Sequence, residues 1–147
     1  MDVALRPARL DDVAEILAME QQAPGASHWT SGQYTRLVSS GVVLVAEVAD
    51  KICGFICANT LSIEWEIENL VVMQSFLRRG IGSALLRELI QTAQAKAAAC
   101  ILLEVRESSL TARALYEKQT FREVGIRRMY YKDPLENAIL YALRFGP

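Results

Sequence analysis

The apolar positions of this chain change period several times, and each change marks an element. Residues 2–6 (DVALR) alternate weakly, as a short strand does, and Pro7 ends the run. From about 11 to 21 the period is helical. Val13, Ile16, Leu17 and Met19 form one stripe, and Asp12 and Glu15 have the spacing of a capping box. Residues 22–29 (QAPGASHW) read as a loop. Thr30 and Gln33 repeat the capping-box spacing and open a short helix to about Ser39, with Gly41 as its stop. Two apolar runs, 42–48 (VVLVAEV) and 52–59 (ICGFICAN), joined by a three-residue turn, Ala49-Asp50-Lys51, predict a hairpin. Residues 62–73 (SIEWEIENLVVM) add a third strand to this meander. After a loop at 74–79, Ile81, Ala84, Leu85, Leu89 and Ala93 set an apolar stripe from about Gly80 to Lys96. Arg87, Glu88, Gln91 and Gln94 take the other face. CILLEV at 100–105 is apolar enough for a strand buried on both faces. A helix at about 110–119, a strand at 121–130, a turn at Lys132-Asp133-Pro134 and a strand at 136–144 complete the chain.

The order is β-α-α-β-β-β-α-β-α-β-β. Hairpins come first and a strand-helix-strand crossover later, which predicts an α+β architecture rather than a doubly wound parallel sheet. Neither linker, low-complexity tract nor repeat interrupts residues 1–147, so one domain is expected. The prolines, Pro7, Pro24, Pro134 and Pro147, fall where turns or ends belong. Lys plus Arg is 16 and Asp plus Glu is 17, a net charge of −1. That balance carries no general electrostatic footprint for nucleic acid or anionic lipid. Cys53, Cys57 and Cys100 have no framework spacing, and the sole histidine is His28. Three reduced, mostly buried thiols and no metal site are therefore expected. The opening MDVALRPARLDD lacks an apolar signal core, and no apolar run reaches membrane-span length, so the expected address is the cytoplasm.

The sharpest local signal is LRRGIGSALL at 77–86, after a strand and at the start of a helix. Unpaired N–H groups and the positive dipole end of a helix attract anions. Gly80 and Gly82 remove side chains from the approach, and Arg78 and Arg79 add charge. A P-loop needs Gly-Lys-Ser/Thr, and this loop has Gly-Ser-Ala. A dinucleotide fingerprint needs a third glycine where Leu85 stands. An anion site and a plain glycine-permitted turn both remain open on the loop alone.

The loop and its setting resemble the GNAT acyl-coenzyme A transferases, whose pattern is Gln/Arg-x-x-Gly-x-Gly/Ala between a splayed strand and a helix. Arg78-Arg79-Gly80-Ile81-Gly82 fits, while Leu77 departs at the first position. LEVR at 103–106, RALYEK at 113–118, IRRMYY at 126–131 and His28-Trp29 before a helix are similar to the ribosomal-protein-alanine N-acetyltransferase subfamily. Three further departures stand out. Ser109 replaces an Asn that contacts the cofactor, Gln119-Thr120-Phe121 replaces Leu-Gly-Phe, and the loop after Val72 lacks a proline. Thr120 makes a left-handed helix end unfavourable.

The resemblance implies a mixed, mainly antiparallel sheet of about six to seven strands flanked by about four helices. The strands at 62–73 and 100–105 would splay to admit acetyl-CoA. It implies that Arg78, Arg79, Gly80, Ile81, Gly82 and Ser83 hold the pyrophosphate, that Leu70, Val71 and Val72 pair with the pantetheine, and that Ser109 hydrogen-bonds the cofactor. It places the general base at Glu104 and the general acid at Tyr116. The acceptor it implies is a protein N-terminus, an N-terminal alanine of a small-subunit ribosomal protein. A free α-amine has a pKa near ~8 against ~10.4 for lysine, so its deprotonation costs roughly 3 kcal/mol less.

The residues themselves leave alternatives. Glu104 is a lone carboxylate in an apolar run, as a base of raised pKa would be, or it is ion-paired with Arg106 or another arginine. Tyr116 is an acid or a core aromatic near Leu115. Glu64, Glu66 and Glu68 share one strand face, opposite Trp65, Ile67 and Asn69. That row is a solvated face, or it attracts a cationic N-terminus, with Glu68 as the acceptor-binding member, or one of the three serves as an alternative base. Arg127, Arg128, Tyr130 and Tyr131 form a polar-aromatic cluster, either a substrate wall containing Arg128, Tyr130 and Tyr131 or a surface hairpin. Trp29 covers the substrate groove or anchors a loop, and His28 reads as an exposed loop residue. Rival functions are acetylation of lysine or a small amine, and a non-catalytic acyl-CoA-binding module.

Overall fold

The computed structural model describes residues 2–23 and 26–146. The loop expected at Pro24 and Gly25, and the placement of Pro147, lie outside the described residues. The strands are β1 (Ala4–Pro7), β2 (Val42–Val48), β3 (Lys51–Asn59), β4 (Glu64–Val72), β5 (Cys100–Arg106), β6 (Arg122–Tyr131) and β7 (Glu136–Arg144). The helices are α1 (Val13–Gln22), α2 (Ser31–Ser40), α3 (Ile81–Ala95) and α4 (Leu110–Lys118). All seven strands form one sheet in the order β1-β2-β3-β4-β5-β7-β6. Only β4 and β5 run parallel; every other pairing is antiparallel. The α+β expectation and the mixed, mainly antiparallel sheet are what the molecule shows.

Two cores lie on opposite faces of the sheet. Ile81, Leu85, Leu86 and Leu89 of α3 and Tyr116 of α4 pack on Ile56, Ile67, Ile101, Leu103 and Tyr141. Leu85, Leu86 and Leu89 are fully buried, and each such side chain contributes about 2 kcal/mol. On the other face Val13, Ile16 and Met19 of α1 and Tyr34 of α2 pack on Val43, Val45, Phe55 and Val71. Leu102 and Leu140, on the α1/α2 side of the β5–β7 half, stay partly exposed. The expectation that β5 is buried on both faces therefore holds for one face only. Cys53, Cys57 and Cys100 are buried free thiols, as expected.

Several local expectations change. The β2–β3 turn is two residues, not three: Ala49 and Asp50 both have positive φ (51° and 64°), the geometry that matches strand twist. Gly41 does end α2, but with φ −113°. A Cβ there would sit 2.6 Å from the Ala58 carbonyl oxygen, so close packing and not a left-handed turn selects glycine. The Thr30–Gln33 box forms as expected, each side chain accepting the other's backbone N–H at 3.1 and 2.8 Å.

Asp12 does not cap α1 with Glu15. It ends a 3-10 turn (Leu10–Asp12) and accepts the Arg9 N–H at 2.7 Å. Arg6 grips its carboxylate through two nitrogens, at 2.8 and 3.1 Å, and also reaches Glu47 at 2.9 Å. The Arg6 side-chain hydrogen bonds hold the Asp12 carboxyl below its usual range, against the opposing effect of burial. Asp12→Asn is expected to cost about 2 kcal/mol of stability at about pH 7, measured by urea denaturation. Because the native pKa is depressed, the contribution is fully present above the ordinary aspartate value. The gap between the variants should therefore close as pH falls below about 4.

Thr120 also corrects an expectation: its φ is 69°, left-handed despite the branched side chain. The Phe121 N–H bonds the Tyr116 carbonyl at 3.1 Å and the Thr120 N–H bonds that of Glu117 at 3.0 Å, the paired bonds of a Schellman end. Contact between Phe121 and Tyr116, ring centres 5.7 Å apart, outweighs the local strain. Thr120→Gly is expected to stabilise by about 1 kcal/mol, after its unfolded-state entropy is counted. A thermal melt should rise by roughly 3 °C.

Candidate active site

β4 and β5 pair at only three positions, Glu64–Cys100, Trp65–Ile101 and Glu66–Leu102, and then part. The register of β3 explains the divergence. Cys57 faces Asn69 but Ala58 faces Ile67, so Glu68 is the unopposed residue of a bulge. A bulge bends its strand and raises its twist. It also reverses the faces: Trp65 and Ile67 join the α3 core, whereas Asn69 turns to Tyr34 on the α2 side. The expected shared face of Trp65, Ile67 and Asn69 is thus broken. Leu70, Val71 and Val72 pair with β3 alone, leaving their β5-side backbone without a strand.

A cavity of about 1110 Å³ occupies the gap. One end is the start of α3. Gly80 precedes the helix with φ +80°, where a side chain would be strained, and Arg78 is left-handed too (φ 63°). The first amide to close a turn is that of Ala84, on the Gly80 carbonyl at 3.0 Å. The amides of Ile81, Gly82 and Ser83 precede it and have no acceptor within the helix. Leu70, Val71, Val72, Arg78, Gly80, Ile81, Gly82 and Ser83 all line this cavity. Arg79 does not; its guanidinium lies over the Phe76 ring, 5.5 Å from the centroid.

Glu104, Tyr116, Ser109, Glu68 and Tyr131 line the same cavity. Glu104 is partly exposed, and its Oε1 meets Arg127 Nε at 3.2 Å. Its arginine partner is therefore Arg127, while Arg106 pairs with Glu136 at 3.2 Å. Glu68 stands across the gap on β4. Burial raises its pKa first, and the carboxylates of Glu66 and Glu104 raise it further.

Tyr116 is 7% exposed, and its hydroxyl has no hydrogen-bond partner among the described residues. Desolvation pushes its pKa well up, with Tyr131 adding to the effect, so the phenol keeps its proton. The next turn of α4 is clamped to β7. Tyr141 donates to Glu117 Oε2 at 2.6 Å and accepts from Arg113 Nε at 3.0 Å. Ser109 caps α4 without a side-chain bond, leaving its hydroxyl uncommitted to the helix.

Arg106, expected as a possible partner of Glu104, has a different role. It donates to the carbonyls of Pro134 and Lys132, each at 3.2 Å, and stacks on the Tyr131 ring at 4.5 Å. It thereby joins the end of β5 to the β6–β7 turn. Trp29 lies outside the main cavity, in a neighbouring groove of about 190 Å³ that shares Glu68. Arg128 and Tyr130 line neither space. Tyr130 packs edge-on against Tyr131, ring centres 5.1 Å apart, and under the Arg127 guanidinium at 5.3 Å. Among the described residues no group of three or more His, Cys, Asp or Glu is placed to hold a metal ion. No helix among them is long and apolar enough to cross a membrane.

The cleft thus joins an amide-rich, anion-favouring end to a carboxylate and a protonated phenol suited to moving protons. Comparison with known proteins bears on the family and the fold. Over 95 residues the chain is 39% identical to the [ribosomal protein bS18]-alanine N-acetyltransferase of Escherichia coli K12, a stretch covering 63% of this chain and 64% of that one. The match therefore spans a little under two thirds of that relative's length. The crystal structure of the Escherichia coli ribosomal-protein-S18-alanine N-acetyltransferase superposes with a TM-score of 0.88 at 28% identity, covering 99% of this chain and 96% of that one. Ard1 from Thermoplasma volcanium shares the fold over the full length of both chains, with a TM-score of 0.90 at 23% identity. The model of the acetyltransferase (GNAT) family matches residues 10–121, and the chain belongs to that family.

Proposed function

We propose that this protein transfers the acetyl group of acetyl-CoA to a protein N-terminal α-amine, with an N-terminal alanine of a small-subunit ribosomal protein as acceptor. The observation that carries the reading is the single cavity that brings the unpaired α3 amides together with Glu104 and Tyr116. The relatives named above supply the acceptor class. The buried free thiols are in keeping with a cytoplasmic site of action.

The residues fit the co-substrate. Gly80 and Gly82 carry no side chains, the amides of Ile81, Gly82 and Ser83 offer donors, and Arg78 and Arg79 add positive charge for a pyrophosphate. The unpaired edge at Leu70, Val71 and Val72 suits an extended pantetheine, with Ser109 facing it from α4. Bound acetyl-CoA supplies the thioester carbonyl as electrophile. Glu104 accepts the proton of the attacking amine, directly or through one water. Tyr116, held protonated, gives its proton to the departing thiolate sulfur and regains one from solvent. Trp29, Glu68 and Tyr131 belong to the acceptor side, with Tyr130 packed against Tyr131, while Arg128 lines neither the cavity nor the groove. Neither proton transfer needs a metal.

The test is acetyl-CoA turnover against two peptides. One has a free N-terminal alanine and no lysine; the other has a blocked N-terminus and one internal lysine. Turnover of the first alone is the expected result. Turnover of the second alone overturns the α-amine assignment. Binding of acetyl-CoA with turnover of neither overturns protein acetylation.

A further inference from the structure

Glu20 is a carboxylate that the proposed chemistry does not use, yet it is 1% exposed within α1. A buried carboxylate persists only with full hydrogen bonding. Its Oε1 accepts the Trp29 backbone N–H and the Tyr34 hydroxyl, the latter at 3.2 Å. His28 Nδ1 approaches Oε2 at 3.5 Å, from a side chain that is 75% exposed. The Tyr34 hydroxyl in turn accepts from Asn69 Nδ2 at 3.1 Å, and that same nitrogen donates to the Ser27 carbonyl at 3.0 Å. Asn69 is itself buried and follows the bulge residue Glu68.

One buried chain of hydrogen bonds thus ties four pieces together: α1, the 26–30 segment, α2 and the splayed part of β4. The pieces it joins border the cleft. Ala26, Ser27, Glu68 and Asn69 line the main cavity, and Trp29 and Glu68 line the neighbouring groove. We propose that Glu20 is a positioning residue for the acceptor. It fixes the 26–30 segment as the acceptor wall and holds that wall in register with the β4 bulge. The inference rests on the acetyl-transfer reading for its kinetic consequence, but its structural content stands apart from it. The amides of Ile81, Gly82 and Ser83 lie on the α3 side, and among the described residues none of them joins this hydrogen-bond chain, so the effect of losing Glu20 is selective. Charge-assisted bonds are about twice as strong as neutral ones, so Gln at this position weakens the wall without emptying it.

The experiment compares the parent with Glu20→Gln and with Tyr34→Phe, the second protecting the test if the first fails to fold. Three quantities are read: the KM for the alanine peptide against kcat, the Kd for acetyl-CoA, and hydrogen exchange at the Trp29 amide. The expected result is a rise of about tenfold in peptide KM. The acetyl-CoA Kd should stay within about twofold, with faster Trp29 exchange in Glu20→Gln. Parallel loss of both affinities, or no change in peptide KM, overturns the positioning role. Unaltered Trp29 exchange overturns the anchoring itself. A parent that turns over no alanine peptide overturns the acetyl-transfer reading instead. The exchange measurement still decides whether Glu20 holds the segment.

Discussion

Glu104→Gln is expected to lower kcat for the alanine peptide by about a thousandfold while acetyl-CoA still binds. A positioned general base contributes roughly 10²–10⁴ in rate, and the amide keeps the shape of the carboxylate without its basicity. The environment of Glu104 makes the substitution a clean one. Arg127 Nε, 3.2 Å away, can donate to the amide oxygen as it did to the carboxylate. Both partners are partly exposed, so the lost ion pair changes stability little. A melt unchanged to within a few degrees should accompany the loss of rate. The same variant reports on the opposite wall. Glu68 is held above its ordinary pKa by burial first, then by Glu66 and Glu104. Neutralising position 104 removes one repulsive charge, so the Glu68 pKa should fall toward the ordinary value in a titration followed by NMR. If kcat drops less than tenfold, Glu68 takes over as the candidate base, and Glu68→Gln is the variant that decides it.

The pattern of apolar positions carried the fold because both periods are strong in this chain. The α3 stripe placed a helix at about Gly80 to Lys96, and the helix is Ile81–Ala95 with those two residues as its caps. The β5, α4 and β7 boundaries were legible for the same reason. What escaped are features decided by a second segment. The bulge at Glu68 exists only relative to β3, so a strict alternation of two misplaces Asn69. Asp12 has a capping spacing with Glu15, but Arg6 and the Arg9 amide compete for its carboxylate and win. Thr120 looks unsuited to a left-handed position, and the Tyr116–Phe121 contact imposes it nonetheless.

Glu20 shows the same limit at the site. In sequence it is one glutamate beside two glutamines, four residues after Ile16 on the line of the apolar stripe, and no motif marks it. Its partners Trp29, Tyr34 and, through Tyr34, Asn69 are brought to it by the packing of α1 and α2 on β4. Arg106 was visible as part of LEVR, but its carbonyl partners belong to a turn some thirty residues on.

Tyr116→Phe is the second large effect expected, a fall in kcat of about a hundredfold with acetyl-CoA affinity preserved. The phenol ring sits in the core against Phe121 and Tyr141, at 5.7 and 6.3 Å between ring centres, and phenylalanine fills that space. Only the hydroxyl is lost. It has no hydrogen-bond partner among the described residues, so its removal strands no buried donor. The pH dependence separates an acid from a packing residue. Desolvation, then Tyr131, raises the Tyr116 pKa above its ordinary value of 10.0. The protonated form, which the thiolate requires, is therefore complete at every pH below that ordinary value. The parent's kcat/KM should rise as the acceptor amine deprotonates near about pH 8 and then stay level to about pH 9.5. A falling limb in that interval would assign the acid to another group. In Tyr116→Phe the thiolate must take its proton from water, which is a poor acid at neutral pH. The rate should then become sensitive to the leaving thiol: an acyl donor whose thiol has a lower pKa needs less proton assistance and should recover part of the loss. A purely packing role for Tyr116 predicts the same deficit for both donors.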